Sequence, residues 1–137
     1  MILSLITAAA LLSQSAEALV KPRDEAPAWR NVNAVVGQEF AQVSSSDYAG
    51  KYLVMIFYPF DFTYVCPTEL IAYSEAVPQF SEVNTSIVGV STDSHHTHLA
   101  WVKTPRTEGG IGQIEYPLLA DFSKEISREY GVLVDDE

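Results

Sequence analysis

The sequence is poor in cysteine and in basic residues. Its 137 residues include one cysteine, Cys66, and 8 lysines and arginines against 18 aspartates and glutamates. A single thiol excludes an internal disulfide framework and any cysteine-rich zinc finger. The formal charge of -10 excludes nucleic acid and an anionic membrane surface as main partners. Because 47% of the residues are hydrophobic, the chain is predicted to form a globular domain, and its length fits one such domain.

Long hydrophobic runs are also lacking. The longest mostly apolar stretch, residues 2–12, is too short to span a bilayer, and it is followed by polar residues and by Ala16-Glu17-Ala18. An apolar run before a small-residue cleavage site is typical of a secretory signal peptide. We therefore expect residues 1–18 to be removed and residues 19–137 to form the mature domain in the secretory pathway, either in the endoplasmic reticulum or outside the cell. Because no lysine or arginine precedes the apolar run, a buried first helix stays open as the alternative.

Strands and helices are predicted to alternate along the rest of the chain. A hairpin broken at Gly37 is expected over residues 33–43, and a strand buried on both faces is expected over residues 52–58, a run of seven apolar residues. Further strands are expected over residues 86–91 and 117–120, and helices over residues 68–83, 98–103 and 122–130. This order predicts an α/β sandwich with right-handed crossovers.

Three local signals refine these elements. Pro78 should kink or end the first helix, and Gly131 should cap the last one. Residues 132–137 predict the start of a further strand that stops among three carboxylates, which suggests an incomplete chain.

Cys66 lies where the loop after the predicted central strand meets the next helix. A helix N-terminus offers unpaired N–H groups and a positive dipole end, and open α/β sheets carry ligand sites beyond the carboxyl ends of their strands. We therefore expect a reactive cysteine with a stabilised thiolate and a lowered pKa. A buried structural cysteine and a thiol that pairs with another chain stay open as alternatives.

A cation close to Cys66 in sequence is missing. No lysine or arginine lies between Lys51 and Lys103, whereas five carboxylates do. Any cation beside Cys66 must therefore come from distant sequence, such as Arg30, Arg106 or Arg128, or from residues outside this sequence.

The segment around Cys66, FYPFDFTYVCPTE over residues 57–69, resembles the active-site signature of the peroxiredoxins, P-x-x-x-T-x-x-C. The resemblance covers the chain from about Ala28 to its end, through GVSTDS at 89–94, HLAW at 98–101, GGIG at 109–112, PLLAD at 117–121 and YGVL at 130–133. The chain is most similar to the typical 2-Cys subgroup and, in its apolar leader, to the secretory-pathway members. The resemblance implies a thioredoxin-like α/β fold with a central mixed sheet flanked by helices, incomplete at the C-terminus.

The resemblance also implies a role for four residues. Cys66 matches the peroxidatic cysteine, which becomes a sulfenic acid, and Thr63 matches the threonine whose hydroxyl bonds the thiolate and the peroxide. Pro59 matches the proline that shields the pocket from water. Glu69 matches the glutamate that orients an active-site arginine.

The activity implied is that of a thiol-dependent peroxidase, which reduces hydrogen peroxide and organic hydroperoxides and is recycled by a thioredoxin-like reductant. The resemblance implies homodimers or higher homo-oligomers and no metal, haem or flavin cofactor. In the family, the active-site arginine and the resolving cysteine fall beyond the position of Glu137, so we expect a truncated product. A non-catalytic interaction or chaperone-like module and a redox-sensor thiol stay open as alternatives.

Three further motifs carry weaker signals. His95, His96 and His98 lie close together, but adjacent histidines point in different directions, which favours a solvated or helix-capping role over a metal site. The glycines at residues 109–112 are no dinucleotide fingerprint, because no strand precedes them and no helix follows. Asn84-Thr85-Ser86 is a glycosylation sequon that matters only where the leader is used.

Overall fold

The structure is a computed structural model that describes residues 20–64 and 66–134. Its strands are β1 (Val32–Val36), β2 (Glu39–Val43), β3 (Tyr52–Phe57), β4 (Thr85–Ser91) and β5 (Leu118–Ala120). Its α-helices are α1 (Cys66–Glu75), α2 (Val77–Glu82), α3 (His95–Lys103) and α4 (Glu125–Glu129), and short 3-10 helices cover Ser45–Tyr48 and Arg106–Glu108. Within the two described ranges, no helix has both the length and the apolar character that crossing a membrane requires. The predicted leader over residues 1–18 lies outside them.

The strands form one mixed sheet in the order β2-β1-β5-β4-β3. β1 runs antiparallel to β2 and β5, whereas β3, β4 and β5 are parallel to one another. The predicted hairpin is confirmed, because β1 and β2 pair across a turn in which Gly37 has a φ of 60°. Parallel strands end at the same edge of a sheet, so the segments that follow β3, β4 and β5 lie side by side.

Apolar side chains cover both faces of the sheet. Leu70, Trp101 and Ile111 lie in the cluster under α1 and α3, and Trp29 and Ile126 lie in the cluster on the α4 side. Alternate β3 residues divide between these clusters in the way that the period of two in a strand requires. Val54 and Ile56 pack against the first cluster, and Leu53, Met55 and Phe57 pack against the second.

The predicted central position of the strand over residues 52–58 is wrong for the described sheet. β3 is its last strand, and the side chains of residues 53–57 are half-buried rather than buried. An uninterrupted apolar run reports that both faces of a strand are covered. It does not report how many strands pair beside it, because that depends on segments far away in sequence.

Pro78 and Gly131 act as predicted, but the helices begin at residues other than those predicted. α1 starts at Cys66, with Pro67 second, and the chain breaks at Ala76 before α2, where Pro78 stands in the first turn. The last helix is followed by Gly131 with a φ of 67°, which confirms the predicted cap. Residues 132–134 form no strand, and residues 135–137 lie outside the described ranges.

Side-chain caps explain the two starts that sequence misplaced. α3 begins at His95 and not at His98, because the Ser94 hydroxyl accepts a hydrogen bond from the backbone N–H of Thr97. α4 begins at Glu125 and not at residue 122, because the Asp121 carboxylate accepts from two backbone N–H groups in its first turn, those of Ile126 and Ser127.

Candidate active site

The predicted site residues lie in the loop that connects β3 to α1, at the edge where the three parallel strands end. Pro59 stands two residues after the end of β3, and Cys66 is the first residue of α1. The structure therefore confirms that Cys66 lies at a helix N-terminus beyond the carboxyl ends of the strands, and the helix begins two residues earlier than predicted. A helix N-terminus favours an anion, because its first N–H groups have no partner within the helix.

The chain after β4 holds the start of this loop. The backbone N–H of Tyr58 donates to the carbonyl of Val90 at 3.0 Å and extends the parallel pairing by one residue. The Thr92 hydroxyl then donates to the carbonyl of Pro59 at 3.3 Å. One carboxylate oxygen of Asp93 accepts from the backbone N–H of Asp61 at 2.7 Å. These bonds fix the backbone of the loop before it reaches Thr63.

A network of buried hydrogen bonds joins the loop to neighbouring elements. Asp61 is buried, and its carboxylate accepts a hydrogen bond from the Tyr58 hydroxyl at 3.0 Å and lies 2.7 Å from Nδ1 of His98. The other ring nitrogen of His98, Nε2, lies 3.2 Å from the carbonyl of Leu119. The three buried polar side chains thus join the loop to α3 and to β5.

The hydrogen-bond partners of His98 limit where protons lie on its two ring nitrogens. A carbonyl only accepts, so Nε2 carries a proton, and a second proton lies between Nδ1 and the Asp61 carboxylate. The pair is an imidazolium with a carboxylate or a neutral imidazole with a carboxylic acid, and its net charge is zero in both cases. The prediction of a solvated or capping role is therefore wrong for His98, which is fully buried.

Tyr58 keeps its proton in this network. Burial raises its pKa well above the usual value, and the negative charge of Asp61 raises it further. The hydroxyl therefore donates to Asp61 over the whole neutral range. Sequence analysis missed the network, because Asp61 was counted only as one of five negative charges.

Thr63 and Pro59 differ in their surroundings. Thr63 is half-buried, and its hydroxyl donates to the carbonyl of Phe60 at 3.1 Å. Pro59 is exposed and lines a cavity of about 270 Å³ whose walls are mostly apolar. Between them, Phe62 has a φ of 56°, a left-handed conformation that is unusual for a bulky side chain. Its ring lies 6.1 Å from that of Trp101.

Two of the arginines that sequence analysis named have partners other than Glu69. Glu69 is exposed there, and among the described residues no arginine forms an ion pair with it. Arg106 lies 4.0 Å from Glu75 and donates to the carbonyl of Ile111. Arg128 reaches the carbonyl of Lys124.

Arg30 and Lys124 line two different cavities. Arg30 lines a separate cavity beside Asp121. Lys124, which sequence analysis did not consider, contributes a cation to the cavity that Pro59 lines. It has a φ of 60° and lies 65 positions along the chain from Pro59, so no local signal relates the two.

The two other histidines stand apart from the loop. The rings of His95 and His96 both contact the edge or face of Phe40, with centroid distances of 4.9 and 5.1 Å. Desolvation, and then the neighbouring histidines, lower the pKa of His95. Across residues 20–64 and 66–134, no group of three or more histidine, cysteine or acidic side chains is placed to hold a metal ion.

Comparison with known proteins agrees with this architecture. Residues 22–137 match the AhpC/TSA family. The chain is 50% identical over 131 residues to "Thioredoxin-dependent peroxide reductase, mitochondrial" of Drosophila melanogaster, which covers 95% of this chain and 56% of that protein. It is 51% identical over 111 residues to "Peroxiredoxin-4" of Bos taurus, covering 81% of this chain and 40% of that protein. The chain thus spans about half the length of these relatives.

Solved structures show the same relationship. The 2-Cys peroxiredoxin of Plasmodium vivax in its reduced form superposes with a TM-score of 0.78 at 47% identity, over 82% of this chain and 59% of that one. AhpC of Enterococcus faecalis gives a TM-score of 0.73 at 39% identity, over 80% and 63% of the two chains. These neighbours confirm the thioredoxin-like fold. The chain therefore belongs to the AhpC/TSA family, that of the peroxiredoxins.

Proposed function

We propose that this chain acts as a thiol-dependent peroxidase with Cys66 as its nucleophile. The observation that carries the proposal is the position of Cys66 as the first residue of α1, after a loop that is tied to β4 and α3 and contains Pro59 and Thr63. A thiolate at a helix N-terminus is favoured over the thiol, and the thiolate is the reactive form.

The chemical step needs no group other than the cysteine and the peroxide. The Cys66 thiolate attacks one peroxide oxygen, the S–O bond forms as the O–O bond breaks, and Cys66 becomes a sulfenic acid. The leaving hydroxide or alkoxide takes up a proton and departs as water or an alcohol. The cysteine sulfur is oxidised by two electrons, and the peroxide is reduced by the same two.

Thr63 is suited to orient the peroxide. Its hydroxyl has one proton, which is donated to Phe60, so its oxygen lone pairs are left to accept from the O–H of hydrogen peroxide. Pro59 has no N–H to offer to water, and it lines a mostly apolar cavity, which suits a residue that shields the site from water. Glu69 would orient an arginine supplied from elsewhere, since a carboxylate and a guanidinium form a strong paired contact.

Recycling requires external thiols. Cys66 is the one cysteine of the 137 residues, so the thiol that condenses with the sulfenic acid and releases water comes from outside this sequence. A second thiol then reduces the resulting disulfide. We propose that a resolving cysteine of a partner subunit in a homodimer or larger oligomer, at a position outside these 137 residues, forms this disulfide, which a thioredoxin-like dithiol then reduces. The name of the Drosophila relative includes the word thioredoxin.

We further propose that residues 1–18 direct the chain into the secretory pathway. The support is the apolar run followed by Ala16-Glu17-Ala18. Recovery of a product that begins at Leu19 from the secretory pathway of transfected cells would support it. Import into mitochondria, the location in the name of the Drosophila relative, would overturn it.

The peroxidase proposal is tested by the rate at which Cys66 forms a sulfenic acid. The purified chain and its Cys66→Ser variant are mixed with one equivalent of hydrogen peroxide, and a sulfenic-acid trap is followed by intact mass on the millisecond scale. We expect labelling of Cys66 at least about a hundredfold faster than labelling of free cysteine. Labelling no faster than free cysteine would overturn the proposal and would favour a module without peroxidase activity.

A further inference from the structure

One peptide unit of the loop is bonded on both of its sides. The carbonyl of Phe60 and the N–H of Asp61 belong to the same planar peptide group and point in opposite directions. The N–H donates to the carboxylate of Asp93 at 2.7 Å, and the carbonyl accepts from the hydroxyl of Thr63 at 3.1 Å. A continuous chain of hydrogen bonds therefore runs from Asp93 through the peptide to Thr63.

Asp93 itself is held in place. Its backbone N–H donates to the hydroxyl of Ser91, which is buried at the end of β4. The next residue, Ser94, caps α3. The backbone at Asp93 is thus held between the end of β4 and the start of α3, and the residue is only half-buried.

The negative charge of Asp93 strengthens this series of hydrogen bonds. A carboxylate that accepts from an amide makes a shorter and stronger bond than a neutral acceptor does, and bonds in series polarise one another. The hydrogen bond from the Asp61 N–H to the Asp93 carboxylate polarises the peptide group and increases the partial negative charge on the Phe60 carbonyl oxygen. The Thr63 proton is then held more firmly by that carbonyl, and the lone pairs of Thr63 stay available.

We propose that Asp93 is a positioning residue for the peroxidase reaction, acting on Thr63 through the Phe60–Asp61 peptide. This inference rests on the proposed function. Without the Asp93 carboxylate the peptide plane is free to rotate, and the Thr63 hydroxyl loses its fixed acceptor. Its oxygen is then no longer held in one orientation toward the peroxide.

Two rates separate positioning from general damage. Sulfenic-acid formation with hydrogen peroxide requires Thr63 in place, whereas alkylation of Cys66 by iodoacetamide requires only the thiolate. We expect Asp93→Ala to slow the peroxide reaction about tenfold and to change alkylation by less than about twofold. Asp93→Asn keeps an acceptor oxygen for the Asp61 N–H, so it should recover most of the lost rate.

A matched control and a second background sharpen the test. Asp47 accepts a backbone bond from Ser44 at 2.8 Å in the 3-10 helix, so Asp47→Ala removes a similar bond elsewhere and should leave both rates unchanged. In a Thr63→Val background, Asp93→Ala should slow the peroxide reaction no further. An additional tenfold loss in that background, an unchanged rate in Asp93→Ala, or equal slowing of alkylation would each overturn the inference.

Hydrogen exchange at the Asp61 amide distinguishes a failure of the positioning role from a failure of the peroxidase proposal. In Asp93→Ala, the Asp61 amide should exchange about tenfold faster than in the unmodified chain. If the unmodified Cys66 reacts with peroxide no faster than free cysteine, the proposed function fails and the positioning role fails with it, even where the amide responds. If Cys66 is fast and neither its rate nor the amide responds to Asp93→Ala, only the positioning role fails.

Discussion

Nδ1 of His98 lies 2.7 Å from a carboxylate oxygen of Asp61, and both side chains are fully buried. The contact spans 37 positions of the sequence and joins the β3–α1 loop to α3. Because the pair has no net charge in either proton arrangement, its burial avoids an isolated charge in the protein interior. The loop that precedes Cys66 is thereby joined to α3 and, through the carbonyl of Leu119, to β5.

Removing His98 should therefore be far more harmful than neutralising Asp61. In His98→Leu the Asp61 carboxylate loses its proton partner while buried, and we expect a loss of about 3–5 kcal/mol in the free energy of unfolding. In Asp61→Asn the amide N–H can donate to Nδ1 and the amide oxygen can accept from Tyr58, so we expect a loss of only about 1 kcal/mol. Urea unfolding followed by circular dichroism measures both.

Exposed His96 provides the control for this pair. His96→Leu should change the free energy of unfolding by no more than about 0.5 kcal/mol. Equal losses in His98→Leu and Asp61→Asn would contradict the proton arrangement derived from the carbonyl of Leu119.

Short segments of the sequence were sufficient to predict much of the fold. The hairpin at Gly37, the helix break before Pro78, the cap at Gly131 and the position of Cys66 at a helix N-terminus each depend on a few adjacent residues. In each case the backbone conformation is limited by glycine or proline chemistry, or by the unpaired groups at a helix end. Such limits act in the same way in any fold.

The parts that sequence could not supply depend on distant partners. His98 is one of three close histidines and carries no local sign that it differs from His95 and His96. Its burial depends on a carboxylate in another loop and on a carbonyl of β5. The edge position of β3 likewise depends on which strands pair, and no count of apolar residues reports that.

Gly110 is predicted to be irreplaceable for steric reasons. A Cβ at this position would lie 1.8 Å from the backbone carbonyl oxygen of Thr104, which cannot move aside as a flexible side chain could. We expect Gly110→Ala to lower the free energy of unfolding by about 3 kcal/mol or more. The neighbouring Gly109 has open space around it and a φ of 84°, so Gly109→Ala meets only conformational strain and should lose about 1 kcal/mol. Thermal unfolding of the two variants compares them directly, and a milder effect at Gly110 would contradict the packing argument.

Asn84 combines a strained backbone with a side-chain bond, and two substitutions separate these effects. Its φ is 54°, and its side-chain amide donates to the carbonyl of Gly50 at 2.9 Å. Asn84→Ala should lose both contributions, about 2 kcal/mol in the free energy of unfolding. Asn84→Gly should lose only the hydrogen bond and be about 1 kcal/mol more stable than the alanine variant. Chemical denaturation of both variants measures the difference, and equal stabilities would show that the left-handed backbone carries no strain.

Buried tyrosines should make the domain lose stability at alkaline pH. Burial raises the pKa of Tyr58 and of Tyr116 above the usual value, and their hydroxyls donate to Asp61 and to the carbonyl of Leu70. Above about pH 10 these groups ionise in the unfolded chain but stay protonated in the folded one, so the unfolded state binds fewer protons and stability falls as pH rises.

Each such tyrosine should contribute a slope of about 1.4 kcal/mol per pH unit between its unfolded and folded pKa values. The slope is measured by urea unfolding at a series of pH values from about 9 to 11.5. Tyr58→Phe should reduce it by one tyrosine's share, whatever the effect of the lost hydroxyl on stability at neutral pH. Tyr52 is 75% exposed, so Tyr52→Phe should leave the slope unchanged. An unaltered slope in Tyr58→Phe would mean that Tyr58 ionises in the folded protein at the same pH as in the unfolded chain, which would contradict the raised pKa that its burial beside Asp61 implies.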